Sequence, residues 1–220
     1  MPLRILVLTP GLPGGMERVF EHLNSALEQE RADFCLHFFT THGPLWKSLL
    51  LFLPRLFYFT ILVTFKKFDV CHINLAWGGS TYRKIAYGML CRWLSLPYVI
   101  HLHGSRFREY FLGSSAAHQK RIEKFFQGAD KVIVLGTPWR DFIHEKLCVP
   151  LDDVVILPNA VQGPHHFPLY KEHAKKHILF LGQLGERKGT KDLVNALSNP
   201  KLKHLSWSAT LAGDGQVAKI

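Results

Sequence analysis

Short apolar runs recur along this chain, with amphipathic stretches of helical length between them. ILVL (5–8), CLHFFT (35–40), DVCHIN (69–74), YVIHLH (98–103), KVIVLG (131–136) and VVILPN (154–159) read as strands. Between the first two, Val19, Leu23, Ala26 and Leu27 recur at helical spacing. Comparable stretches fall around 80–94, 106–127 and 138–147. Alternating strands and helices predict βαβ units, and so a six-stranded parallel sheet in one doubly wound α/β domain over 1–162.

After Asn159 the texture changes. AVQGPHHFPLYKEHAKKH is rich in Pro, Gly and polar residues and predicts a linker over 163–176. A second βα unit then starts over, with HILFLG (177–182), the helix KGTKDLVNALS (188–198) and WSATLAG (207–213). A parallel sheet needs helices on both faces, so two strands in 177–220 are expected to be only the opening of a second domain.

The stretch from Leu49 to Phe65 is strongly apolar but carries Pro54 and Arg55 at its centre. A spanning helix wants about 20 apolar residues, so no span is expected. Either a core helix kinked near Pro54 or a helix resting on a membrane interface fits, with Lys47, Arg55, Lys66 and Lys67 as punctuation. The apolar run at the N-terminus is too short for a signal peptide, which points to a cytoplasmic protein, peripheral on the membrane if attached at all.

The chain holds 220 residues, 47% of them apolar, enough for a buried core. Its 27 Lys and Arg against 17 Asp and Glu leave a net charge of +10, which favours phosphate-bearing partners or anionic lipid. The four scattered cysteines form no Cys-x-x-Cys pair and no zinc spacing, so reduced thiols and no metal site are expected.

Four segments could carry chemistry. Gly14 and Gly15 follow the first strand and precede a helical pattern, where backbone N–H groups can approach a phosphate. They do not form the G-x-G-x-x-G fingerprint, which argues against a dinucleotide enzyme. His101 and His103 share one face of a strand, and His103 lies nearer its carboxyl end, where ligands of open parallel sheets bind. His72 reads as core and His165–His166 as surface. Between Gly182 and Gly189, Gln183, Arg187 and Lys188 lie just before a helix start, a plausible diphosphate grip, and Gly213 and Gly215 flank the next strand end.

Together these pieces resemble the retaining family 4 glycosyltransferases of GT-B fold. PGLPGGMERVFEHL resembles that family's N-terminal glycine loop, HLHG its strand-end histidine, and VVILPNAV its hinge, with Asn159 in it. ILFLGQLGERKGTKDLVNAL resembles its phosphate-binding segment and LAGDGQ the glycine turn that follows. The resemblance implies a complete acceptor-side domain and the beginning of a nucleotide-sugar domain, hence a chain truncated at its C-terminus. It implies Gly14 and Gly15 at the diphosphate or acceptor, His103 as the catalytic contact to the donor sugar, and Lys188 on the pyrophosphate. No metal and no further cofactor are implied. Gln183 stands where the family usually places an Arg, with Arg187 as the compensating cation, and Ala160 replaces the usual hinge Gly.

The expected function is therefore transfer of a sugar from a UDP- or GDP-type donor to a hydroxyl of a surface polysaccharide or lipid-linked glycan, weak in this chain alone because the family's paired glutamates are missing. No nucleic-acid partner is expected. The rival is a non-catalytic module that docks on membranes or anionic partners through the same fold.

Overall fold

The computed structural model describes residues 2–9, 33–41, 51–159 and 176–215. The chain divides into two compact units, Met1–Gly163 and Pro164–Ile220.

In the first unit, β1 (Leu3–Thr9), β2 (Phe34–Thr40), β3 (Val70–Leu75), β4 (Tyr98–Leu102), β5 (Lys131–Val134) and β6 (Val154–Ile156) form one six-stranded parallel sheet. Its order is β2-β1-β3-β4-β5-β6, so the direction of winding reverses at β1. All six strands fall where the apolar runs predict them, with ends shifted by up to three residues. The stretch predicted as a helix between β1 and β2 lies outside the described residues.

The described helices are α1 (Phe52–Phe65), α2 (Gly79–Trp93), α3 (Phe107–Leu112), α4 (Ala116–Gln127) and α5 (Thr137–Leu147). Strand periodicity sends Leu6 and Leu8, Cys71, Ile73 and Leu75, Tyr98, Ile100 and Leu102, and Val132 and Val134 to one face of the sheet. There they join Phe59, Tyr87, Ile122, Phe126 and Ile143 from the helices in a single buried core. Helices α1, α2, α4 and α5 each touch the next, forming a layer over that face.

Two helix predictions need correction. Pro54 does not kink α1, because the helix starts at Phe52 and places Pro54 in its first turn, where no intrahelical partner awaits an N–H. The 106–127 stretch is two helices, broken at Gly113–Ser115. Ser114 Oγ donates to the Tyr110 carbonyl and Gln119 Nε2 to that of Phe111, so side chains satisfy the end of α3 and hold the break.

Nor is α1 wholly a core helix. Phe59 is fully buried and meets Phe39 and Tyr87 edge-on, at centroid separations of 5.5 and 5.0 Å. Leu53, Phe57, Ile61 and Phe65, spaced by four, form an outward stripe exposed by 71, 70, 37 and 81%. No described helix is long and apolar enough to cross a membrane.

In the second unit β7 (Lys176–Leu181) and β8 (Trp207–Ala212) pair in parallel, and α6 (Thr190–Leu197) lies between them in sequence. Ile178, Leu179 and Leu181 of β7 are exposed.

The opposed faces of α1 give a direct test by denaturant unfolding. Phe59→Ala should cost about 3–5 kcal/mol, the usual range for emptying a buried aromatic site. Phe57→Ala should stay within about 0.5 kcal/mol, because its ring contacts mostly solvent.

Candidate functional site

The carboxyl edge of the large sheet gathers the unusual polar groups. The winding reverses beside β1, and in open parallel sheets ligands usually lie beyond the carboxyl ends of the strands at such a reversal. Asn74, near the end of β3, is buried there. Its Nδ2 donates to the Leu8 carbonyl of β1 at 3.1 Å, and its Oδ1 lies 3.2 Å from His103 Nε2.

That geometry settles the histidine's tautomer. With the Asn74 nitrogen donating to a carbonyl, its oxygen is an acceptor, so His103 Nε2 carries the hydrogen and Nδ1 keeps its lone pair. Burial lowers the His103 pKa to about 4, so the ring is neutral at pH 7. The result is an oriented acceptor nitrogen just past the end of β4, able to take a hydrogen bond from a hydroxyl. The backbone N–H of His103 donates to the Leu75 carbonyl at 2.9 Å. Gly104 follows with its Cα against Ala76 and the Trp77 amide, so a side chain there would crowd the neighbouring turn.

The histidines extend inward from this edge. His101 packs 3.9 Å from His103 between ring centroids, and its Nδ1 lies 3.3 Å from His72 Nε2. Burial, then His103 and His72, lowers the His101 pKa to about 3; burial, then His103, lowers that of His72 to about 4. His101 and His103 share a face as the strand period predicts, and His72 joins them in one stack. Among the described residues no three His, Cys, Asp or Glu side chains converge on a metal position.

Other predicted site residues fall elsewhere. Gly14 and Gly15 lie outside the described residues, as does the Arg187 side chain. Asn159 is exposed beyond β6. In the second unit, Lys188 is exposed on a short 3-10 turn, Glu186–Lys188, ahead of α6, and Gln183 is exposed after β7. The turn engages its own amides: Lys188 N–H donates to the Gly185 carbonyl, Gly189 N–H to that of Glu186, and Gly185 N–H to Thr190 Oγ1 at 3.0 Å. The amides of Gly185, Lys188 and Gly189 are therefore engaged within the turn itself, and Lys188 is exposed on it. Gly213 and Gly215 are demanded by packing: a Cβ at either would run into the carbonyl of Gly182 or Leu184 on the adjacent turn.

Sequence reasoning missed two residues, Asn74 and Thr190. Each is a small polar residue whose role depends on a partner far away or across a turn. Asn74 carried one signal, a lone amide at the end of an otherwise apolar strand. A cavity of about 290 Å³ between α2 and α4, lined by Met89, Arg92, Arg121 and Lys124, opens at the other end of the sheet, beside the start of β4.

The first unit is thus a parallel, Rossmann-like α/β sheet with an oriented histidine just past the carboxyl end of a central strand. Residues 7–160 match the family model described as glycosyl transferase 4-like domain, and the chain belongs to that family. Among 23 matching solved chains is a glycosyltransferase from Rickettsia africae ESF-5, with a TM-score of 0.71 and 18% identity over 97% of this chain. That likeness shows a shared GT-B-type fold, and this chain spans 61% of that structure's length. No curated protein sequence matches the chain.

The stacked imidazoles make stability depend on pH. Free histidine titrates near 6.5, so from pH 7 to 5 the unfolded chain takes up protons that folded His72, His101 and His103 refuse. Stability should fall over that window by up to about 1.4 kcal/mol per pH unit for each histidine. Denaturant midpoints at pH 7, 6 and 5 should show the decline, and His72→Gln should make it shallower.

Proposed function

We propose that this chain serves a retaining glycosyl transfer from a UDP- or GDP-type sugar to a hydroxyl of a glycan or lipid-linked acceptor. The supporting observation is the neutral His103, locked by Asn74 at the reversal edge of a sheet in a chain of this family. Met1–Gly163 is the acceptor side, and the Gln183–Lys188 turn, with Arg187, serves the donor diphosphate. Gly14 and Gly15 lie with the diphosphate or acceptor, and Asn159 with the hinge.

In the transfer, the bond between the sugar's anomeric carbon and the diphosphate oxygen breaks, and the nucleoside diphosphate leaves with the electron pair. The acceptor oxygen bonds to the same carbon, and its proton passes to the departing phosphate oxygen. The chain's residues position these groups. His103 Nδ1 accepts a hydrogen bond from a donor-sugar hydroxyl, and the Lys188 ammonium offsets charge on the leaving diphosphate. This reading calls for no metal or added cofactor, and the nucleotide sugar is a co-substrate.

A transfer assay with nucleotide sugar and a calorimetric measurement of its binding test the assignment. His103→Ala should lower kcat about a hundredfold. Asn74→Leu should lower it comparably, and the double variant little further, because both changes remove one oriented acceptor. Lys188→Ala should weaken donor binding about tenfold. Unchanged kcat in His103→Ala would refute the site.

Peripheral attachment to the cytoplasmic face of a membrane is a second element, supported by the exposed stripe on α1 with Lys66 and Lys67 at its end. Phe57→Ser with Phe65→Ser should reduce cosedimentation with anionic vesicles severalfold at equal stability.

A further inference from the structure

Helices α1 and α2 contain Arg55, Arg83, Lys84 and Arg92 but no Asp or Glu. Two of these cations are partly withdrawn from water beside a buried phenol. Arg55 Nη1, Arg83 Nε and Tyr87 Oη are all buried atoms without a hydrogen-bond partner among the described residues. Tyr87 is itself fully buried. Arg83 lies one turn before Tyr87 on α2, and Phe52 and Phe59, on either side of Arg55 along α1, hold the Tyr87 ring at centroid separations of 6.3 and 5.0 Å; burial pushes the phenol up to about 12, while the charges of Arg55 and Arg83 pull the other way. Burial likewise lowers the pKa of Arg83.

All three atoms are able to donate, Tyr87 as a phenol that stays protonated at neutral pH. Three unpartnered buried donors in one place, two of them cationic, call for an acceptor with several oxygens and negative charge. Lys84 beside them is otherwise engaged, its Nζ donating to Thr41 Oγ1 at 2.9 Å. That contact places the cluster near the carboxyl end of β2, on the same edge of the sheet as His103.

We propose that Arg55, Arg83 and the Tyr87 hydroxyl bind the phosphate group of an acceptor-side ligand, a phosphate mono- or diester. This deepens the acceptor reading of Met1–Gly163, although binding of the phosphate is measurable without any sugar transfer. A guanidinium pair grips such a group with parallel hydrogen bonds, and the phenol adds a third. The ester arises either from a soluble sugar or glycerol phosphate or from a lipid whose chains lie against the outward stripe of α1.

The test is calorimetry and thermal melting of the 220-residue protein with glycerol 3-phosphate and with dihexanoyl phosphatidic acid. Either probe should bind and raise the melting temperature; a clear preference for the second identifies a lipid source, and equal affinity a soluble one. Arg55→Gln and Arg83→Gln should each weaken binding about tenfold. Tyr87→Phe should weaken it severalfold and leave the melting temperature of the ligand-free protein unchanged or higher, since it removes a buried hydroxyl without a partner. That variant keeps the test decisive should either arginine variant fail to fold. Lys188→Ala should leave the affinity intact, which separates this site from the donor turn. Failure of both probes to bind, equal affinity in wild type and Tyr87→Phe, a lower ligand-free melting temperature in Tyr87→Phe, or loss of binding in Lys188→Ala would each overturn the proposal. Loss of sugar transfer with phosphate binding preserved would count against the transferase reading alone.

Discussion

The carboxyl edge of the large sheet depends on one structural constraint, the reversal of winding at β1. β2 pairs on one side of β1 and β3 on the other, so the strand order changes direction there. The amide of Asn74 spans the reversal, holding the Leu8 carbonyl with its nitrogen and His103 with its oxygen. Strand pairing thereby fixes a side-chain tautomer, and the tautomer fixes which ring nitrogen keeps its lone pair. The chemistry of the histidine follows from backbone topology.

Burial has opposite consequences for the two sets of basic groups in this unit. Along β3 and β4 it keeps three imidazoles neutral, so the sheet carries polar rings without charge at pH 7. At α1 and α2 it instead withdraws part of the guanidinium groups of Arg55 and Arg83 from water. The first arrangement carries no charge to offset, although His101 Nε2 has no hydrogen-bond partner among the described residues, whereas the second leaves positive charge uncompensated among them. That difference is why the histidines read as a preset part of the site and the arginines as one awaiting an anion.

The smaller unit relies on backbone approach. Gly213 and Gly215 lie against the carbonyls of Gly182 and Leu184, so the turns after β7 and β8 stack directly. Thr190, buried at the start of α6, ties down the Gly185 amide. The Glu186–Lys188 turn is thus shaped from within, and Lys188 is exposed on it.

Periodicity made the strands of both units legible, because alternation of apolar residues reports burial on a sheet face directly. It also placed His101 and His103 on one face and His103 at a strand end. It did not reveal that Pro54 sits harmlessly in a first helical turn, or that the 106–127 stretch breaks at Gly113–Ser115, since both depend on where helices begin and end. Nor could it find Asn74 or gather Arg55, Arg83 and Tyr87. Local sequence determined the elements and the order of the motifs, because propensity and periodicity act over a few residues. Tertiary structure decided which polar groups share a site, because those partners meet only when strands 66 residues apart pair and helices from separate crossovers pack side by side.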